Sequence, residues 1–197
     1  MMPKRSFENV EEFEEHFADA DEILIDGTEN ACFRPKGNDE QKVKYSGKKH
    51  THTDIALVFS DKRRFIYYLG KLHDGSKVDF GLLKEEFPPE QDWFRDQKVI
   101  VDLGFVGIEK IYRIKEVLIG VKRPRKSKDN PEPKLTKEQM EWNKAVGKER
   151  VYVEHAIGGM KKYHVLKNRC RIKCHTLKNE IIGICAGLWN YSILLNS

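Results

Sequence analysis

The sequence lacks any segment suited to crossing or entering a membrane. Its longest run without a charged residue has 17 residues, 181–197, and is interrupted by Asn190, Tyr191, Ser192 and Asn196. A spanning helix needs about 20 mainly apolar residues. The N-terminal residues contain no apolar run of the length that a secretory signal requires. We therefore expect no membrane partner, and we interpret 181–197 as a buried C-terminal helix.

Cysteine and the common catalytic motifs are also scarce. The four cysteines, at 32, 170, 174 and 185, have no spacing typical of a disulfide framework, which suits a reducing compartment. Cys170, Cys174 and His175 suggest part of a zinc site, but no second close pair of ligands accompanies them. P-loop, dinucleotide-binding and nucleophile-elbow motifs are absent. We expect a cytoplasmic protein in a bacterium, or a nuclear one in a eukaryote.

Charge is plentiful but unevenly distributed along the chain. Of the 197 residues, 39% are hydrophobic and 34% charged, which suits one globular domain. Residues 1–29 carry ten acidic and two basic side chains, whereas 30–197 carry 34 basic and 21 acidic ones, clustered at 42–52, 122–128 and 161–178. Separate positive blocks are typical of a surface that binds a polyanion, so we expect DNA as a partner. The alternatives are solvated loops and, for 122–128, a localisation signal.

The apolar pattern predicts alternating strands and helices. Phe7, Val10, Phe13 and Phe17 recur at helical spacing, which indicates a short helix after a Ser6 cap. Two β-rich runs separated by three residues indicate an antiparallel hairpin. Such alternation is typical of a layered α/β domain. We expect strands at 21–27, 54–60, 64–70, 98–105 and 117–121, and helices at 78–87, 109–114 and 136–166.

Two apolar strands end in the same way, with a carboxylate before a glycine-containing turn. Asp26 follows Ile-Leu-Ile, and Asp102 follows Val-Ile-Val. A single aspartate at such a position is usually turn chemistry. If the two strands are neighbours, however, both carboxylates emerge at one edge of the sheet, which favours a shared site.

A third carboxylate lies on the long helix. Arg150, Glu154 and Lys161 are separated by four and seven residues, so they share one helix face. Val153, Ile157 and Met160, at intervals of four and three residues, share another helix face, which we expect to be buried. The alternative is a solvated face with an ordinary Arg–Glu pair. The pair Gly158-Gly159 argues against it, because glycine is unfavourable inside a helix unless backbone or substrate approaches closely.

Five sequence blocks follow one another in a fixed order. They are Asp26-Gly27-Thr28-Glu29, Arg34-Pro35, Tyr45-Ser46-Gly47-Lys48-Lys49-His50-Thr51, Asp102-x-Gly104-x-x-Gly107, and Asn143-x6-Arg150-x3-Glu154-x6-Lys161. Together they resemble the catalytic domain of insertion-sequence DDE transposases, endonucleases related to the Harbinger group. The resemblance extends from about residue 21 to the C-terminus. It departs at Gly147, where related enzymes often have tyrosine three residues before the arginine.

The resemblance implies a ribonuclease-H-like α/β fold, a mixed sheet flanked by helices. It implies that Asp26, Asp102 and Glu154 are catalytic and hold two Mg²⁺ ions, with Mn²⁺ as a substitute. Arg150 and Lys161 would contact DNA near the scissile phosphate. Carboxylates suit this chemistry because Mg²⁺ prefers oxygen ligands and two metal ions can serve both the attacking and the leaving oxygen.

Three further residues, Lys48, Lys49 and His50, are expected on a loop after the first strand, in contact with phosphates rather than bases. We divide the chain into an acidic N-terminal helix, 1–20, as a remnant or lead-in, and a DDE catalytic domain, 21–197. The expected function is Mg²⁺-dependent DNA cleavage and strand transfer at insertion-sequence ends, by a homodimer or together with a separately encoded DNA-binding subunit, since the chain shows no N-terminal DNA-binding region. The alternatives are an inactive, domesticated DNA-binding protein and a nuclease without strand transfer.

Overall fold

A mixed β-sheet organises the computed structural model, which describes residues 1–128 and 130–196. Within these residues seven strands form the sheet in the order β2-β3-β1-β6-β7, while β4 and β5 both pair with β3. β1 is antiparallel to β3 and parallel to β6, and β6 is parallel to β7. The strands are β1 Ile23–Ala31, β2 Tyr45–Ser46, β3 Thr51–Ser60, β4 Ile66–Leu69, β5 His73–Asp74, β6 Lys98–Val101 and β7 Glu116–Leu118.

Helices cover both faces of the sheet. On one face α1, α3 and α4 surround an aromatic-rich core that includes Phe13, Leu82 and Ile108. On the other face α5 and α7 contribute Val153 and Ile182 to a second core. The helices are α1 Val10–His16, α2 Asn38–Lys44, α3 Asp79–Glu86, α4 Ile108–Ile111, α5 Lys137–Met160, α6 His164–Lys167 and α7 His175–Leu194.

The alternation of side chains along the strands explains this layering. Ile23 and Ile25 of β1 point into the first core, whereas Leu24 between them points into the second. The neighbouring β6 repeats the pattern, because Val99 and Val101 point into the first core and Ile100 points into the second. This is expected for strands that are buried on both faces. The expected ribonuclease-H-like α/β fold, a mixed sheet flanked by helices, is confirmed.

Several element boundaries differ from the sequence prediction. Helix α1 is capped by Asn9, whose side chain accepts from the Glu12 amide, rather than by Ser6. Strand β1 does not end at Gly27 but continues to Ala31, because Gly27 pairs with Leu57 of β3. The strand expected at 98–105 ends at Val101 and is followed by a 3₁₀ turn, Leu103–Phe105.

The two C-terminal helical predictions also need adjustment. The stretch 136–166 consists of α5, which begins after a Thr136 capping box, and the separate short α6. The C-terminal helix starts before residue 181, at His175, and only one of its faces is buried. Ile184, Leu188 and Tyr191 are half exposed. Among the described residues, none of the helices combines the length and apolar character needed to span a bilayer.

Candidate active site

Sheet pairing brings two of the three carboxylates side by side. Ile25 of β1 is the parallel partner of Val101 in β6, so Asp26 and Asp102 are the next residues on adjacent strands. The condition set by the sequence pattern, that the two strands be neighbours, is therefore met. Asp26 lies within β1, which continues towards β3, while Asp102 lies just beyond the end of β6.

Local hydrogen bonds orient both side chains. Asp26 Oδ1 accepts from the Gly27 amide at 2.8 Å, and Asp102 caps the 3₁₀ turn by accepting from the Gly104 amide. Burial raises the pKa of Asp26, while the Gly27 hydrogen bond and the charge of Arg150 act in the opposite direction. Neighbouring Asp102 raises it further by repulsion.

Helix α5 supplies the third carboxylate and a cation. It packs on the sheet through the buried Val153 and Met160, which turns Arg150 and Glu154 towards the strand ends. The Arg150 Nη2 atom lies 3.9 Å from Asp26 Oδ2, 3.8 Å from Asp102 Oδ2 and 3.6 Å from Glu154 Oε1. The three carboxylates thus converge on one positive group.

A polar cleft of about 290 Å³ opens beside these side chains. Lys48 and Lys49, in the turn between β2 and β3, line it together with Lys161 at the end of α5. Lys161 Nζ donates to the Glu29 carbonyl oxygen at 2.6 Å. Burial and the nearby charge of Lys49 lower the pKa of Lys161 to about 8. His50 occupies the same turn with a left-handed φ of 52° but is not among the residues lining the cleft.

Two of the sequence interpretations around α5 were wrong. Ile157 is only partly buried and lines the cleft. Gly159 is required not by substrate but by Trp189, because a Cβ atom there would lie 2.5 Å from the indole ring. Gly158 has open space where a Cβ atom would be, so no group approaches it closely.

Sequence reasoning missed a fourth carboxylate. Asp79, the first residue of α3, packs against the backbone of Gly27: a Cβ atom on Gly27 would lie 1.8 Å from Asp79 Oδ1. Burial and repulsion by Asp26 raise the pKa of Asp79 to about 6. The signal available in the sequence was Gly27 itself, which we interpreted as a turn residue although it marks a close approach.

The donor set fits a hard divalent cation in type and charge. Mg²⁺ prefers carboxylate oxygens, and Asp26, Asp102 and Glu154 already surround one cationic group, the Arg150 guanidinium. The three carboxylates are spaced to surround the guanidinium. Among the described residues, no three His, Cys, Asp or Glu side chains are grouped closely enough to hold a metal ion. Within 1–128 and 130–196, the buried Nε of Arg150 has no hydrogen-bond partner. The Arg150 guanidinium therefore does not use all of its hydrogen-bond donors in this position.

Comparison with known proteins identifies the family of this chain. Residues 25–190 match the family model of the DDE superfamily endonucleases. The chain is 34% identical over 177 residues to a probable transposase for insertion sequence element IS702 from Microchaete diplosiphon, an alignment covering 89% of this chain and 58% of that protein. No solved structure gives a significant match. The mixed sheet flanked by helices and this family match define a DDE-type nuclease domain. The chain belongs to the DDE superfamily endonucleases and is a relative of insertion-sequence transposases.

Proposed function

We propose that this chain is the catalytic part of a transposase that cleaves DNA at the ends of an insertion sequence and joins the cut strand to target DNA. The observation that carries the proposal is the convergence of Asp26, Asp102 and Glu154, from two strands and one helix, within 4 Å of one guanidinium nitrogen. The family match supports the nuclease chemistry. The chain spans 58% of the length of its curated relative, so the whole reaction is proposed here.

Asp26, Asp102 and Glu154 would hold two Mg²⁺ ions, for which Mn²⁺ would substitute. When bound, these ions would activate the attacking oxygen and stabilise the leaving 3′ oxygen. The chain's own side chains would hold the cations and position the DNA. The Gly27 and Gly104 amides hold Asp26 and Asp102 in place, whereas Arg150 would have to leave the three carboxylates for the cations to enter between them.

The basic side chains of the cleft would bind the DNA strand. Lys48, Lys49 and Lys161 line the cleft together with the carboxylates. Arg150 lies beside the carboxylate of Asp102. Phosphate contacts fix the position of a strand without reading its sequence. We propose that Arg150 transfers from the carboxylates to a phosphate oxygen when cations and DNA are bound, and that His50 contacts the backbone from the exposed side of its turn.

The remaining partners follow from the reaction. Two element ends must be processed together, so we propose a homodimer on DNA. Because the cleft offers phosphate contacts, we propose that the sequence of the ends is read elsewhere, in a separately encoded DNA-binding subunit. In a bacterial host the complex would be cytoplasmic and bound to the nucleoid. Within the chain, we propose that 21–197 is the catalytic domain and 1–20 an appended acidic helix.

A nicking and joining assay tests the function. Supercoiled plasmid carrying the element ends should be nicked in Mg²⁺ or Mn²⁺ and left intact with EDTA, and a labelled oligonucleotide with the processed 3′ hydroxyl should become joined to plasmid. Nicking without joining would identify a nuclease that lacks strand transfer. DNA binding that is indifferent to Mg²⁺, without any nicking, would identify a DNA-binding protein that has lost catalysis.

The low pKa of Lys161 predicts a pH-dependent phosphate contact. Because its pKa is about 8, the ammonium is charged at pH 7 and largely neutral at pH 9, so one ionic contact is lost as the pH rises. The slope of log K for DNA against log salt should fall by about one between these pH values. Lys161→Gln should have the lower slope at both pH values. Lys144→Gln, on the exposed part of α5, is the control and should retain the pH dependence; equal pH dependence in the wild type and Lys161→Gln would refute the assignment.

A further inference from the structure

The first turn of α3 brings a fourth carboxylate between the two strand ends that carry Asp26 and Asp102. Oδ1 of Asp79 occupies the space that a side chain on Gly27 would need, 1.8 Å from the ideal Cβ position. In the 3₁₀ turn after β6, Oδ2 of Asp79 and Oδ1 of Asp102 lie 4.0 and 2.7 Å from the ideal Cβ position of Gly104. Gly27 thus leaves room for Asp79, whereas the close neighbour of Gly104 is Asp102 and Asp79 lies at ordinary contact distance from it.

Nothing in the described part of the chain compensates Asp79 directly. Its carboxylate has no hydrogen bond and no ion pair to another described residue. It faces the negative charges of Asp26, Asp102 and Glu29, and only Lys48 attracts it from nearby. A partly buried carboxylate among like charges lowers the stability of the fold unless something else binds it.

A helix-capping role does not explain this position. An acidic residue in the first turn stabilises the helix by its interaction with the helix dipole, but it does so equally well when its side chain points into solvent. Asp39 in the first turn of α2 is such a case, since its side chain is fully exposed. The inward packing of Asp79 on Gly27 therefore needs a separate reason.

We infer that Asp79 is a fourth cation-binding carboxylate of the site, acting beside Asp26 and Asp102 on divalent metal ions, directly or through their bound water. The inference rests on the proposed function. Two divalent ions carry four positive charges, and Asp79 adds a fourth negative group from α3, which packs on the face of the sheet opposite α5. Carboxylates that hold metal-bound water are a common second layer around such ions.

Metal binding without DNA provides the test. Mn²⁺ is titrated into the full chain by calorimetry, and Tm is measured with EDTA and with Mn²⁺, for wild type, Asp79→Asn and Asp39→Asn. In Asp79→Asn we expect Mn²⁺ affinity to fall about tenfold or more and the Mn²⁺-induced rise in Tm to shrink. Its Tm in EDTA should equal or exceed that of the wild type, because a repulsive charge has been removed. Asp39→Asn, which also removes a carboxylate from the first turn of a helix, should behave as wild type.

The outcomes separate this inference from the proposed function. If Asp102→Asn weakens Mn²⁺ binding and Asp79→Asn does not, Asp79 is not a cation ligand and the catalytic proposal stands. If wild type binds no Mn²⁺, the proposed function itself fails. A Tm in EDTA several degrees below wild type would show that Asp79 is structural and overturn the inference. Asp79→Ser, smaller and equally neutral, must reproduce the result of Asp79→Asn, so a packing defect of the asparagine alone cannot produce it.

Discussion

Asp102→Asn is expected to lower the rate of Mg²⁺-dependent nicking by at least about a thousandfold, equivalent to roughly 4 kcal/mol of transition-state stabilisation. The change removes one negative charge from the group that would hold the cations and leaves the shape of the side chain nearly unchanged. DNA affinity, measured in EDTA, should stay close to that of wild type, because Asp102 itself is not a phosphate-binding group.

The asparagine keeps the local fold because its amide oxygen can still accept from the Gly104 amide, as the carboxylate does. Asp26→Asn and Glu154→Gln should lose nicking to a similar extent, since the three groups act as one unit. Asp96→Asn changes an exposed aspartate whose one ion pair with the described residues is to Arg95, and it should retain full activity. Nicking by Asp102→Asn at the wild-type rate would show that the metal-site proposal is wrong.

The parts of the site that local patterns determine could be predicted from the sequence. The apolar triplets before Asp26 and Asp102 indicate buried strands, and parallel neighbours place their ends at one edge of the sheet. That Arg150, Glu154 and Lys161 share one helix face follows from their spacing and from helix geometry alone. The sequence did not show that β1 and β6 are adjacent, because their pairing joins residues more than 70 positions apart.

Tertiary packing accounts for what the sequence prediction missed. Gly27 was interpreted as the end of a strand because glycine is common at turns. In the structure it is a strand residue that makes room for Asp79. Similarly, Gly159 accommodates Trp189 from α7 rather than a substrate. In each case the partner comes from a distant segment, and no local rule identifies it.

The N-terminal helix gives the second large expected effect: Phe13→Ala should lower the free energy of unfolding by about 3–5 kcal/mol. Phe13 has no exposed surface. Its ring meets those of Phe87, Trp93 and Phe94 at centroid distances of 5.6 to 5.8 Å, all edge to face. Truncation would leave a cavity in the aromatic core beneath β1, and a loss of this size is a large part of a typical domain's stability. Denaturant unfolding monitored by tryptophan fluorescence measures it.

Phe33→Ala provides the matched control, because Phe33 is half exposed at the end of the sheet and its truncation should cost less than about 1 kcal/mol. The comparison also tests the boundary at residue 20. A small effect of Phe13→Ala, similar to that of Phe33→Ala, would mean that 1–20 is a separable lead-in. A large effect on one cooperative transition would mean that α1 folds with the domain, because its phenylalanines complete the core that supports the strand carrying Asp26.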